Sequence, residues 1–429
     1  MMARPPPASI LAVLAASVSC VSYALPPDDA QSSVTAAVTI KALAPPSNIA
    51  PGGPMSPVWA AWQVDDGAWQ RLMPKDVGLF TLPSAGSRWA VAFACEDIDR
   101  QSSTIAIYRH PASVTAIEIT LPEPCSLPPI DLFQITGTLV NVPQATSWLE
   151  FGYALDSRGS ALPVDGTRAS YEVVNVATGT WDLAFGVRDT AGAPLTRAAI
   201  LRARPMKQDL TLDVDLAAAF APAERGLKVH GVGGRDTVDV QMLYTTGGTT
   251  GLAVGPQDIP STSPEVFALY STIPDTAQVE GDRYRLAITS SSPRDEGTVR
   301  SVDATFHAAM DLDLTLPDAI APPRVTVLPG NGGVQYDTAF SRGAGIESFV
   351  VDVVATITHR SYRRVVTSID ASIAAPSEMT PDWSGIDGFR PEWALPDAET
   401  VVTVTNVEPS AQLGDGTMQR SSAAFVVVR

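Results

Sequence analysis

The chain has only four histidines that could serve as a base or a metal ligand: His110, His230, His307 and His359. Each stands alone, with no second histidine at metal-ligand spacing and no His-Glu-x-x-His run. His110 precedes Pro111 and so belongs at a turn. His230 and His307 fall in or near alternating apolar stretches and read as sheet-face residues. Nucleophilic catalysis needs a nucleophile beside a base, and no Gly-x-Ser-x-Gly elbow occurs. Gly231-Val232-Gly233-Gly234-Arg235 lacks the third glycine of a dinucleotide fingerprint and leads into no helix. It reads as a strand-end loop, and Gly247-Gly248 and Gly330-Asn331-Gly332-Gly333 read as turns.

Acids alternate with apolar residues at Asp209, Asp213 and Asp215, and again at Asp311 and Asp313. A calcium site needs several oxygen ligands converging from loops, whereas acids alternating along one strand line a solvated face. The pairing of carboxylates for sugar hydrolysis is spatial, and no pair stands out in the sequence. The expectation is therefore no catalytic residue, no metal ligand and no cofactor. Arg360-Ser361-Tyr362-Arg363-Arg364 is the one notable basic run and reads as an exposed hairpin tip. Trp59, Trp62 and Trp69 crowd one hairpin. Trp59 and Trp69 are the candidates for an aromatic surface that takes a glycan or an apolar partner. The competing and favoured reading is packing, with Trp62 in a core and Trp69 over a sheet edge.

The elements that would carry these residues are strands. Trp89-Ala90-Val91-Ala92-Phe93-Ala94-Cys95 alternates bulky and small residues with period two, the pattern of a strand with one face in a core. The pattern returns at Trp181 to Val187 and at Tyr284 to Ile288, and more faintly at Val402 to Thr405. The spacing of about 100 residues, with several strands per period, indicates sandwiches rather than a solenoid of short repeats. Asp65-Asp66-Gly67 between apolar runs is a hairpin signal. The 36 prolines and 31 glycines lie largely between apolar runs, and helix is hard to find. The expected fold is all-β: four tandem antiparallel Ig-like β-sandwiches over 34–125, 126–216, 217–318 and 319–429, behind a leader at 25–33. The last unit matches least well, and Thr367 to Arg390 reads as a long irregular insert with a short helical turn near Ile369 to Ala375.

The chain has 429 residues, 45% of them hydrophobic and 17% charged, with a formal net charge of −17. That composition supports packed cores, and that charge repels nucleic acid and anionic lipid. Residues 1–24 read as an export signal: Arg4, a short apolar stretch from Ile10, and Ser22-Tyr23-Ala24 as the cleavage site. Cys20 after Ser17-Val18-Ser19 is a poor lipobox, so a lipid anchor through Cys20 is the alternative to simple secretion. No later stretch reaches the ~20 apolar residues of a transmembrane helix. With the signal removed, Cys95 and Cys125 remain, an even number that predicts a disulfide in an oxidising compartment.

The stretch Val58 to Leu72 with its Asp-Gly-Ala-Trp-Gln core, then Gly78 to Leu82 and Gly86 to Cys95, resembles uncharacterised exported bacterial proteins with tandem Ig-like or carboxypeptidase-regulatory-like sandwiches. The likeness is clearest over the first unit and poor in the fourth. It implies a scaffold or binding module, brings no activity and transfers no catalytic residue. The function expected is a non-enzymatic envelope or secreted protein that binds an extracellular protein or glycan. The alternative is an extracellular hydrolase with a carboxylate or serine site between units.

Overall fold

The structure is a computed structural model. It describes residues 37–45, 53–82, 86–97, 101–125, 131–153, 156–234, 236–247, 250–255, 259–260, 264–291, 298–320, 324–327, 334–337, 346–358, 361–373, 377–396, 398, 400–410, 413 and 418–427. The export signal, Cys20, His359 and Gly330 to Gly333 lie outside these residues. The all-β class read from the alternation is the class of the structure. Among the described residues the helical pieces are single 3₁₀ turns at Asp275–Ala277, Ala371–Ile373 and Pro391–Trp393. No helix of the described residues is long and apolar enough to cross a membrane.

One pairing scheme recurs three times. The first segment contains β1 (Val38–Ala44), β2 (Trp59–Val64), β3 (Leu79–Leu82), β4 (Arg88–Glu96), β5 (Ser103–Pro111) and β6 (Ala116–Thr120). β1 pairs antiparallel with β3 and parallel with β6. Facing this small sheet, β4 sits between β2 and β5. The hairpin signalled by Asp65-Asp66-Gly67 forms, and pairs β2 with Gln70–Arg71. Asp65 takes a left-handed φ of 49°, a conformation that aspartate tolerates better than most residues. Cys95 and Cys125 form a disulfide with a Cα separation of 5.0 Å.

The second segment repeats the plan with β7 (Leu132–Val140), β8 (Trp148–Tyr153), β9 (Arg168–Ala177), β10 (Gly179–Arg188) and β11 (Leu195–Met206). β7 pairs antiparallel with β9 and parallel with Leu210–Thr211 and Val214–Asp215, while β10 lies between β8 and β11. The third has β12 (Ala223–His230), β13 (Thr237–Thr246), β14 (Thr250–Ala253), β15 (Glu265–Thr272), β16 (Arg283–Ser291), β17 (Thr298–Phe306) and β18 (Leu312–Thr315). Here β12 pairs with β15 and with β18, and β16 lies between β13 and β17. Within each segment the inward residues of the two sheets meet in a core; Val38, Ile40, Phe80, Trp89, Val91, Phe93 and Tyr108 fill the first.

The fourth stretch contributes β19 (Ser348–Thr358), β20 (Ser361–Asp370), β21 (Thr400–Pro409) and β22 (Met418–Val427), ordered β20-β19-β21-β22. These four strands are part of a larger sheet, and the same stretch also forms a small antiparallel sheet of Val325–Val327, Val334–Asp337 and Ser377–Met379. β20 adds in parallel to the edge of β5, from Arg363 opposite Ser103 to Ile369 opposite Arg109. β22 adds antiparallel to the edge of β17, from Thr298 opposite Ala423 to Asp303 opposite Met418. The result is one continuous sheet of 13 strands that runs from the third segment through the fourth to the first.

That continuity changes the meaning of the recurring strand. In β4, Trp89, Val91, Phe93 and Cys95 face the first core, as the bulky positions should. Ala90, Ala92 and Ala94 do not face water: all are buried, Ala92 and Ala94 completely. Residues 371–373 and 377–396 lie over this face. Trp383, Trp393 and Leu395 pack with Trp59, Ala61, Ala92, Ala94, Ile105 and Ile107 and with the apolar face of β19, β20 and β21. Small residues on this face let an aromatic layer approach the sheet. We expect Ala92→Leu to lower the free energy of unfolding by about 1–3 kcal/mol through overpacking. The equivalent Ala287→Leu in β16, on a partly open face, is expected to stay within about 0.5 kcal/mol; urea denaturation of both variants checks the contrast.

Candidate functional site

Trp59, a candidate for an aromatic surface, is 1% exposed. It sits in the layer between the first segment and the 371–396 stretch. Its ring meets Trp383 at 6.2 Å, Phe389 at 5.4 Å and Trp393 at 6.2 Å, and its Nε1 donates to the carbonyl of Asp387 at 3.2 Å. Trp69 is half-buried and meets Trp383 edge-on at 5.8 Å. Both rings are therefore in contact with other rings of this chain. Trp62, expected in a core, is only partly buried and flanks the first one. Trp89, Trp181 and Tyr284 are core residues, at most 5% exposed. The signal for Trp59 was present in sequence as Trp383, Phe389 and Trp393, but nothing local shows that residues over 300 positions apart meet.

Charged groups reinforce the same seam. Glu96, at the end of β4, accepts from Arg390 Nη1 at 3.0 and 3.1 Å and from Trp393 Nε1 at 2.6 Å. Arg390 also lies over the Trp393 ring, 5.2 Å from its centroid. The basic run is not an exposed tip where it is described. Arg364 and Asp352 form a two-pronged pair at 2.9 and 2.8 Å, and Arg363 donates to the carbonyls of Gln101 and Glu392 across the seam. A shallow depression near this seam is lined by Gln63, Asp65, Arg88, Arg109 and Ile373. Arg88 there is committed to Asp66 and to the carbonyl of Ile373. Asp65 accepts from Ser87 N, Ser87 Oγ and Arg88 N at 2.8, 2.5 and 3.1 Å, and these bonds hold its carboxyl below the usual range.

His110 is buried against Trp89, with ring centroids 4.9 Å apart, and its Nε2 has no hydrogen-bond partner. Burial lowers its pKa to about 4, against the opposing pull of Asp370. It is held as a neutral imidazole at the seam with β20.

The junction of the second and third segments follows the same logic. β14 lies on the outer face of β8 and β10, where Gly152 comes so close to Gly251 that a Cβ would sit 2.0 Å from its carbonyl oxygen. Glu150 and Arg188, both almost fully buried, form an ion pair at 3.3 Å. Arg188 also donates to the carbonyls of Ala193 and Ala253, and Glu150 accepts from Trp148 Nε1 at 2.9 Å. Burial lowers the Arg188 pKa, and Glu150 opposes that shift. Nearby, Arg202 bridges Asp182 at 2.9 Å and Asp282 at 2.7 Å, and Tyr244 donates to Asp282 at 2.5 Å. Burial pulls Arg202 down, but hydrogen bonds to Asp282 and Asp182 outweigh it and raise its pKa. Burial acts to raise Asp282, and Arg202, Tyr244 and the Val279 N–H outweigh it and lower its pKa.

The alternating acids do more than line a solvated face. Asp209, Asp213 and Asp311 accept backbone N–H groups of Gln134, Thr138 and Gly226 at 2.9, 2.8 and 2.8 Å, where the short last strand of each segment meets the first. Among the described residues, no group of three or more His, Cys, Asp and Glu is placed to hold a metal. His230 has partners on two neighbouring strands, Glu265 at 3.0 Å and Asp313 at 2.7 Å, and His307 Nδ1 lies 2.6 Å from Arg283 Nη1. The Gly231 loop is tied down by Asp236, which accepts from Gly233 N, Ser290 Oγ and Arg300.

No family model matches the chain, and no curated protein matches it. Among solved structures, the FN1–FN3 domains of chicken CNTN1 align at 12% identity over 66% of this chain and 91% of that one, with a TM-score of 0.17. Two marsupial T cell receptor structures align at 8% and 7% identity over 69% and 70% of this chain and 96% and 100% of theirs, with TM-scores of 0.12 and 0.11.

Two outcomes are expected. Arg188→Met should cost about 3–5 kcal/mol by leaving Glu150 buried and unpaired, and the double variant with Glu150→Met should recover part of that loss in denaturant titrations. His110 charges in the unfolded chain below about 6.5 but stays neutral in the fold to about 4, so its contribution is full above pH 6.5 and declines as pH falls toward 4. The decline is about 3 kcal/mol at most; His110→Phe should remove it, seen as a smaller loss of stability between pH 7 and pH 4 than in the wild type.

Proposed function

We propose that the chain is an exported, non-enzymatic binding or structural module. One observation carries the reading: at both junctions the buried charges and the aromatic rings are used to hold segments together. Between the second and third segments, Arg202 binds Asp282 while also held by Asp182, and Arg188, paired with Glu150, donates to the carbonyl of Ala253. Glu96 is bound by Arg390 and Trp393 between the first segment and the stretch over it. A hydrolase site between units would need a carboxylate free to exchange protons with substrate, and these are engaged by fixed donors. What such bonding supplies is a stiff arrangement of sheets that carries loops and open faces, as a recognition or load-bearing module requires. The Cys95–Cys125 bond supports export, since such bonds persist in oxidising compartments. Anchoring through Cys20 is the alternative to release.

The test is to incubate the purified chain with a protein and glycan array, with and without calcium, and with chromogenic ester, peptide and glycoside substrates. Retention on the array without turnover is the expected result. Turnover that copurifies with the chain through successive columns overturns the reading.

A further inference from the structure

Among the described residues, the small sheet of the third segment presents one open face. Its outward positions are Glu265, Phe267 and Leu269 on β15, and His230, Lys228 and Gly226 on β12, with Asp313 on β18 and Asp311 just before it. The register sets Phe267 opposite Lys228 and Leu269 opposite Gly226, and places Lys228 opposite Asp313. Phe267 is 67% exposed and Leu269 40% exposed, at neighbouring outward positions of a single strand. The Phe267 ring reaches over Gly226, where a Cβ would lie 3.2 Å from its Cε2. Glycine thus leaves room for the ring to lie along the sheet.

The polar groups around the ring are held in place by one another. Lys228 Nζ is 3.2 Å from Glu265. His230 Nδ1 is 3.0 Å from Glu265 Oε1, and its Nε2 is 2.7 Å from Asp313 Oδ1. Asp311 is fixed by the Gly226 N–H at 2.8 Å. An exposed aromatic ring beside pre-positioned donors and acceptors suits a ligand with one apolar face and a rim of hydroxyls. Because the polar side chains are already oriented, little conformational freedom remains to be lost on binding.

We infer that this face binds a neutral pyranose glycan, with a sugar ring stacked on Phe267 and its hydroxyls bonded to Glu265, Asp313 and Lys228. The inference rests on the binding-module reading and names its ligand class. Three carboxylates against Lys228 and His230, on a chain of formal charge −17, repel anionic sugars. Two exposed apolar side chains fall well short of the about 800 Å² per partner that a stable protein interface buries, so a sugar-sized ligand fits better than a protein.

Isothermal titration of the full chain with soluble neutral oligomers of β-linked glucose and of N-acetylglucosamine tests this, with an oligomer of uronic acid as the anionic contrast. Saturable binding of a neutral oligomer, weakened at least tenfold by Phe267→Ala and kept by Phe267→Trp, is expected, with the uronate not bound. Thermal melts confirm that both variants fold. Equal binding by wild type and Phe267→Ala overturns this face while leaving the binding-module reading intact. Absence of binding to every neutral oligomer overturns the glycan assignment, whereas the module reading falls only to turnover.

Discussion

The arrangement depends on how closely sheets can approach one another. Stacked sheets sit about 10 Å apart, and a layer laid on the outer face of a sheet needs that face to be small. β4 supplies Ala90, Ala92 and Ala94 on that face, and Trp383 and Trp393 come down on Ala92 and Ala94. β8 and β10 supply Gly152, Ala184 and Gly186, and β14 comes down there. The third copy of the strand carries Arg285 and Ala287 outward, and Arg285 is exposed. The recurring strand is thus two-sided: its bulky side builds a core within its own segment, and its small side decides whether another part of the chain can dock.

Edges are the second constraint. A sheet edge leaves unpaired N–H and C=O groups that invite unwanted pairing. The edges of β5 and β17 are covered by β20 and β22 from the same chain. The equivalent edge of β11 is met at Ala198 by the backbone of Phe220. Covering two edges with one set of strands ties the first and third segments together a second time, beyond their link through the second. Polar groups that resemble chemistry when taken alone, such as Glu96 with Arg390, are set where this closure needs directional bonds. Function is then left to the surfaces that no other described part of the chain covers, of which the outer face of β12, β15 and β18 is one.

Much of this was legible from local pattern. Alternation located the strands, the Asp65-Asp66-Gly67 turn located a hairpin, and Cys95 with Cys125 formed the expected pair. The same reasoning misplaced residues whose surroundings are distant. The rings that bury Trp59 lie near position 390, out of reach of any local pattern. Arg363 and Arg364 looked like a tip because their partners are Gln101, Glu392 and Asp352. Asp209 and Asp213 looked solvated because the N–H groups they accept lie 75 positions away.

By itself the sequence determined the all-β class, the length of the repeating pattern and which side of each strand is bulky, because a period of two and the turn chemistry are local properties of the backbone. Tertiary structure alone decided what lies against the small side, which edges are covered and that the fourth stretch joins the first and third in one sheet. Those outcomes depend on pairing between strands far apart in the chain. A strand edge offers the same row of N–H and C=O groups whatever its side chains, so local pattern carries no record of which partner takes it.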